Sequence, residues 1–144
     1  MPDRDGSATP LHRKLGIREG AVVAVLDAPE GFPALLEPLP GGVELRRRAR
    51  GPVDVAVLFV TSRARLARRF PAAARAIGAG GGVWVAWPKK TAGVPTDLDF
   101  ASVQRVGLDA GLVDNKVAAI DGTWTSVRFV VRLADRATWP APRP

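Results

Sequence analysis

Apolar residues are concentrated in short runs along this chain of 144 residues. Three runs are apolar almost throughout: 21–26, 53–60 and 83–87. Such runs are typical of parallel strands that are covered on both faces of a sheet. Two further β-rich runs, 112–120 and 124–133, flank Asp121-Gly122 and therefore predict a hairpin with a two-residue turn.

Helical spacing is clearest after residue 62. Leu66 and Phe70 recur on one side of a helix that Ser62 caps, which leaves five arginines on the outer side. Pro71 lies within this helix and predicts a kink near Ala67, because proline lacks an amide donor and crowds the carbonyl four residues back.

Two other signals predict helix boundaries. The glycine-rich run 78–82 follows a helix and precedes a strand, the reverse of the order in a phosphate-binding loop, so it predicts a helix C-cap and a turn. Thr96 and Asp99 have the spacing of a capping box and predict a helix from 97 to about 110. Residues 31–39 are a helix candidate interrupted by proline.

Three segments in this order carry a resemblance to a known fold: Val53 to Leu58 with Asp54 inside it, Gly80 to Val85, and Gly111 to Val113. A terminal antiparallel pair of strands follows these segments. Together they resemble the second half of class I methyltransferase-like Rossmann folds, over about residues 53–133. The resemblance implies an α/β fold, an abbreviated Rossmann-like three-layer sandwich. Its mostly parallel sheet would end in an antiparallel C-terminal hairpin.

A second resemblance spans most of the chain and implies no activity. The chain is similar to a family of small bacterial proteins known as a domain of unknown function, on these residues: Lys14 to Ile17, Ala28 to Phe32, Trp87-Pro88-Lys89-Lys90, Asp114-Asn115-Lys116-Val117, Asp121 and Trp124. We expect a single domain over residues 11–136, between a flexible leader (1–10) and a flexible tail (137–144).

Several residues depart from the pattern of an active methyltransferase. The loop after the first strand, Asp27 to Gly31, has one glycine and a proline, whereas close approach of a cofactor favours several glycines. Segment 43–48 ends in arginines instead of the acid that holds ribose hydroxyls, for which Glu44 is a partial substitute. Only about six residues follow before the next strand, fewer than a usual parallel crossover needs. Segment 43–48 is therefore either not a parallel strand or part of an abbreviated sheet. We expect no cofactor, and S-adenosylmethionine (SAM) is disfavoured.

Composition excludes several kinds of chemistry. The absence of cysteine excludes thiol nucleophiles, disulfides and cysteine zinc sites, and the single histidine, His12, argues against histidine triads and multi-histidine metal centres. We therefore expect no metal site. The leader has no apolar stretch, and no apolar run is long enough to span a bilayer, so a cytoplasmic protein without membrane contact is expected.

The net charge of +7 comes from one segment. Residues 46–75 contain nine arginines and one acid, whereas the rest of the chain has 12 bases and 13 acids. This segment favours binding of nucleic acid or another polyanion, although charge on an outer helix face also serves solubility. The candidate polyanion-binding residues are Arg46, Arg47, Arg48 and Arg50.

In open α/β sheets, ligands bind beyond the carboxyl ends of the strands. This rule nominates nine candidate ligand-binding residues: Asp27, Glu30, Gly31, Phe32, Thr61, Ser62, Trp87, Lys89 and Lys90. The two lysines would neutralise a phosphate or carboxylate. The alternative is a solvated lysine pair beside a tryptophan that fills the core.

Lys116 is a tenth candidate. A two-residue turn at Asp121-Gly122 would place Lys116 opposite Val127 on a largely apolar face. There it would extend to the solvent-exposed rim, pair with Asp54 or Asp114, or carry an amine of lowered pKa.

These features support three functional hypotheses. The leading one is a non-catalytic Rossmann-like module with a ligand-binding or regulatory role, for which a small anion is a candidate ligand. The second is binding of nucleic acid or another polyanion through residues 46–75. The third is a SAM-dependent methyltransferase, or another enzyme with a divergent cofactor loop.

Overall fold

Six strands form one mixed sheet in a computed structural model that describes residues 9–140. In chain order the strands are β1 (Val22–Leu26), β2 (Glu44–Arg46), β3 (Val53–Phe59), β4 (Ile77–Pro88), β5 (Leu112–Ala119) and β6 (Trp124–Val131). The order across the sheet is β2-β1-β3-β4-β6-β5. The first four strands are parallel, whereas β6 runs antiparallel to both β4 and β5. The expected α/β fold is confirmed.

Helices lie on both faces of the sheet. They are α1 (Leu11–Lys14), α2 (Phe32–Leu35), α3 (Arg63–Ala76) and α4 (Phe100–Asp109), with 3₁₀ turns at Lys90–Ala92 and Leu133–Thr138. One core cluster includes Leu66, Phe70 and Phe129 and packs under α3 and α4. The other includes Leu15 and Phe32 and packs under α1 and α2. Alternating residues of β3 contribute to the two clusters, as expected for a strand covered on both faces.

Strand β2 decides whether segment 43–48 is a parallel strand. Glu44 lies beside Val22 of β1 in parallel register, so this segment is a strand of an abbreviated sheet. A strand of three residues requires a return of only about 10 Å along the sheet and about 10 Å across two strand spacings. The six residues 47–52 span up to about 20 Å, so no crossover helix is needed.

The N-terminus of α4 differs from the prediction. The capping residue is Asp99, whose carboxylate accepts from the Ser102 amide at 2.8 Å while the Asp99 amide donates to the Ser102 hydroxyl at 3.0 Å. The hydrogen bond from the Ser102 amide, and after it one from the Ser102 side chain, lower the pKa of the Asp99 carboxyl. Thr96 instead accepts from the Leu98 amide. The helix therefore begins at Phe100, because the reciprocal Asp99–Ser102 pair satisfies its first amides.

The glycine run is part of a strand, so its prediction as a C-cap and turn is wrong. Helix α3 passes directly into β4 at Ile77, which has an extended backbone (φ −74°, ψ 143°). The register then shifts, with Val53 beside Ile77 and Val55 beside Gly82, so the extra residues bulge out. Glycine fits here because a Cβ at Gly81 would lie 2.8 Å from the Asp54 carbonyl oxygen.

The hairpin is confirmed, but its turn is longer than two residues. Ile120 and Asp121 both donate to the Trp124 carbonyl, and the Asp121 carboxylate accepts from the amides of Thr123 and Trp124. The longer turn offsets the pairs that follow it by one residue, so Val117 lies opposite Val127, and Lys116 lies opposite Arg128 and not Val127. The register shifts again between Lys116 and Asp114.

Helix α3 is continuous through Pro71, the residue predicted to kink it. The Trp139 indole donates to the Ile77 carbonyl at 3.0 Å within the tail predicted to be flexible. The predicted flexibility of residues 1–8 and 141–144 lies outside the described residues. Among residues 9–140, no helix has the length and apolar character needed to cross a membrane.

Candidate functional site

A cleft of about 670 Å³ lies at the carboxyl ends of β1 and β2. The chain passes from β1 to β2 on one side and then to β3 on the other side of β1, so the strand order reverses between β1 and β3, beside this cleft. Ligands of open α/β folds bind at such a switch point. We call this cavity the switch-point cleft; its walls include Val25, Asp27, Ala28, Pro29, Glu30, Gly31, Pro33, Leu45, Arg46 and Arg47.

Asp27 is the most strongly held side chain of the cleft. Its backbone lies in the left-handed region (φ 58°), a conformation that Asp and Asn tolerate better than most residues. Both carboxylate oxygens accept from Arg69 of α3, at 2.8 Å from Nε and 3.2 Å from Nη2, and Arg65 lies 3.9 Å away. Because the Asp27 side chain is still 26% exposed, its carboxylate retains acceptor capacity toward the cleft.

A second, smaller recess of about 270 Å³ adjoins this cleft. Pro29, Glu30 and Gly31 line both cavities. The recess has an aromatic wall in which the Phe59 ring contacts Phe32 edge-to-face at 4.7 Å and Trp124 at 5.0 Å. We call it the aromatic recess. The two cavities together form a bipartite site around the loop that follows β1.

Four of the predicted ligand-binding residues therefore come together: Asp27, Glu30, Gly31 and Phe32. Thr61 and Ser62 do not line either cavity, although they follow β3. The Ser62 hydroxyl accepts from the Arg65 amide as the N-cap of α3. Trp87, Lys89 and Lys90 line a separate open depression with Leu98 and Phe100.

Lys116 lies at the opposite edge of the sheet, in a cavity at the amino ends of the strands. Within the described part of the chain it forms no ion pair with Asp54 or Asp114. Asp54 accepts from the Val22 amide at 2.8 Å, and Asp114 accepts from the Gln104 side-chain amide. The expected ion pair of Lys116 is therefore wrong, although Asp54 lines the same cavity.

The arginine-rich segment is divided in the structure. Arg65 and Arg69 face Asp27, and Arg46 pairs with Glu44 at 2.6 Å while also donating to the Arg50 carbonyl. Arg47 and Arg48 are exposed. Polyanion binding through Arg46, Arg47, Arg48 and Arg50 stays a prediction. Among residues 9–140, no group of three or more His, Cys, Asp or Glu residues is placed to hold a metal ion.

Sequence reasoning missed the walls of the site. Leu45 and Leu35 are 40% and 45% exposed and line the switch-point cleft and the aromatic recess, respectively. Trp124 and Phe59 come from strands far apart in the chain. The sequence around the two exposed leucines did not predict their place in the site, because their exposure depends on what the folded chain leaves uncovered.

Solved structures that share this architecture include methyltransferases. A SAM-dependent methyltransferase from Aquifex aeolicus superposes with a TM-score of 0.60 at 11% identity, covering 83% of this chain and 87% of that one. A magnesium protoporphyrin IX methyltransferase from Synechocystis with bound SAM gives 0.54 at 9% identity, with coverages of 85% and 74%. LepI in complex with SAM gives 0.52 at 11% identity, covering 92% of this chain but 49% of that one.

The chain has a class I methyltransferase-like Rossmann fold. No protein-family model matches it, and no curated protein matches by sequence. The similarity to a family of small bacterial proteins therefore stays a prediction.

The expectation that no cofactor is involved is corrected by these structures, two of which contain SAM. They also favour the methyltransferase alternative over the non-catalytic module, at the level of the fold.

Proposed function

We propose that this protein is a methyltransferase-type domain that binds SAM in the switch-point cleft and presents its methyl group to an acceptor in the aromatic recess. The observation that carries the proposal is the bipartite site itself, two cavities that share Pro29, Glu30 and Gly31 at the carboxyl ends of the strands. Bound SAM would supply an electrophilic methyl group. The protein would contribute binding, orientation and exclusion of water.

The chemistry of the cleft walls suits the parts of this cofactor. A volume of about 670 Å³ is within the range of small-molecule sites. Val25, Pro33 and Leu45 provide apolar surface for the adenine ring. The carboxylates of Asp27 and Glu30 are acceptors for ribose hydroxyls or for the ammonium group, and the guanidinium of Arg47 would attract the cofactor carboxylate.

The end of β2 requires a different arrangement from the one that the fold resemblance implies. Arg46 occupies the last position of the strand, and its partner Glu44 is already engaged at 2.6 Å. The ribose-binding role therefore falls to Asp27 and Glu30 on the neighbouring loop. Gly31, with φ 89° and no atom within 4 Å of the place a Cβ would occupy, keeps the backbone of this loop accessible.

Calorimetric titration of the full chain with S-adenosylhomocysteine tests the proposal. We expect saturable one-to-one binding in the micromolar range, and weaker binding of adenosine and methionine because each occupies only part of the cleft. Leu45→Asp is expected to weaken binding at least about tenfold, since it replaces the apolar wall with a charge.

Val117→Asp is the matched control. Val117 is 64% exposed on β5 and lies outside both cavities, so this variant should bind like the unmodified protein. Absence of saturable binding by any S-adenosyl compound would contradict the proposal, as would equal affinities of the two aspartate variants.

A further inference from the structure

A third cavity, of about 530 Å³, lies at the amino ends of β1, β3 and β4 and thus at the opposite edge of the sheet from the proposed cofactor site. It is bounded by the segment from Lys14 to Ala21, by Asp54 and Gly80, and by the cross-strand neighbours Trp84, Arg128 and Lys116. We call it the amino-edge cavity. Its position makes it independent of the cleft proposed for SAM.

Arg128 is the unusual side chain of this cavity. Its Nε atom is buried and has no hydrogen-bond partner, and no carboxylate of the described residues lies within ion-pair distance of its guanidinium. Burial, with a smaller contribution from Arg136, lowers the pKa of Arg128. A partly buried cation without a counter-charge costs free energy, and an anion bound from solution would offset that cost.

The glycine run makes room for this guanidinium. A Cβ at Gly82 would overlap Arg128, lying 2.9 Å from Cζ and 3.0 Å from Nη2. The Arg128 side chain therefore lies directly over the β4 backbone. Gly80 lines the same cavity, and nothing lies within 4 Å of the place its Cβ would occupy. The run thus contributes Gly80 to the wall of a basic cavity and leaves room at Gly82 for the Arg128 side chain, although it is not a phosphate-binding loop.

Charge in the amino-edge cavity favours a doubly charged anion. Four bases line it, Lys14, Arg18, Lys116 and Arg128, against two acids, Glu19 and Asp54. One Asp54 oxygen already accepts from the Val22 amide at 2.8 Å. The net balance of two positive charges matches a phosphate group, which guanidinium and ammonium groups recognise with short charge-assisted hydrogen bonds.

We propose that the amino-edge cavity binds a phosphate group, free or carried by a small molecule, with Arg128 and Lys116 as its principal ligands. Trp84 supports this site from below: its indole donates to the Leu15 carbonyl at 3.0 Å and ties the Lys14 to Ala21 segment to the sheet. The site does not depend on cofactor binding at the other edge.

Titration of the full chain with inorganic phosphate at constant ionic strength, followed by ¹H–¹⁵N NMR, tests this proposal. We expect saturable shifts of the Gly82 amide and the Arg128 Nε–H resonance. Arg128→Met should weaken phosphate binding about tenfold or more, and Lys116→Gln should weaken it severalfold. Parallel titrations with a phosphomonoester, such as glycerol 3-phosphate, distinguish a carried phosphate from the free ion by which binds tighter.

Arg105→Gln is the control, because Arg105 is an exposed residue of α4 whose partner is Asp109. It should leave phosphate affinity unchanged. Phosphate should also raise the thermal midpoint of the unmodified protein but not that of Arg128→Met. Lys116 is exposed, so Lys116→Gln keeps the test available if Arg128→Met fails to fold. Non-saturable shifts, or affinities that are equal in all three variants, would overturn the proposal.

Discussion

Replacing Phe129 with alanine is expected to lower the free energy of unfolding by about 3–5 kcal/mol. Phe129 lies on β6, is 0% exposed, and meets the Phe70 ring of α3 edge-to-face at 5.8 Å. On its other side the ring lies directly against α4, where a Cβ at Gly107 would overlap it. This one side chain therefore joins both helices of that face to the sheet, and removing it leaves a cavity that rigid elements cannot close.

Urea unfolding followed by tryptophan fluorescence measures this change. Total stabilities of small domains are about 5–15 kcal/mol, so the expected loss is a large fraction of the whole. Val117→Ala is the control on the adjacent strand of the same hairpin. Because Val117 is 64% exposed, its truncation should change stability by no more than about 0.5 kcal/mol. Similar losses in the two variants would contradict the described packing.

Asp27→Asn is expected to weaken binding of S-adenosylhomocysteine about tenfold or more. The change keeps the size of the side chain and its tolerance of the left-handed backbone, but it removes the negative charge that would hold ribose hydroxyls or an ammonium group. Calorimetric titration of the full chain gives the affinity directly.

Arg69→Met tests whether the Asp27 carboxylate binds the cofactor or only anchors helix α3. It removes the partner at 2.8 Å but leaves Asp27 charged, so cofactor affinity should be kept or increased even if α3 is less firmly held. A pattern in which Arg69→Met abolishes binding while Asp27→Asn does not would show that Asp27 serves only to anchor the helix.

Much of the fold follows from local pattern. β1, β3 and the second half of β4 are apolar on both faces, and this alone predicts buried parallel strands. Ser62 begins α3 as its local chemistry predicts, since its hydroxyl accepts from the amide three residues on.

The elements that local pattern did not predict depend on distant partners. The glycine run forms part of β4, where the Asp54 carbonyl and the Arg128 side chain approach its backbone too closely for a larger residue. Lys116 has a different cross-strand neighbour from the predicted one because the hairpin turn is longer than two residues, which offsets the pairs from Ala119 to Lys116 by one residue. Neither event leaves a signal within a few residues of the position it affects.

Local sequence likewise predicted one part of the candidate site and not the other. The rule for strand ends nominated the loop from Asp27 to Phe32, which the structure places around two cavities. It also nominated Ser62, which caps a helix, and Lys89, which lines a separate depression. The apolar wall at Leu45 and the aromatic wall at Trp124 became visible only when strands far apart in the chain were brought together.

The most direct measurement of the central claim is the location of bound S-adenosylhomocysteine by ¹H–¹⁵N NMR on the full chain. The proposed function predicts saturable shifts at Asp27, Gly31 and Leu45 around the switch-point cleft, with Gly82 and Lys116 at the opposite edge unaffected. Binding confined to the amino-edge cavity, or no saturable shift at the carboxyl ends of β1 and β2, would contradict it.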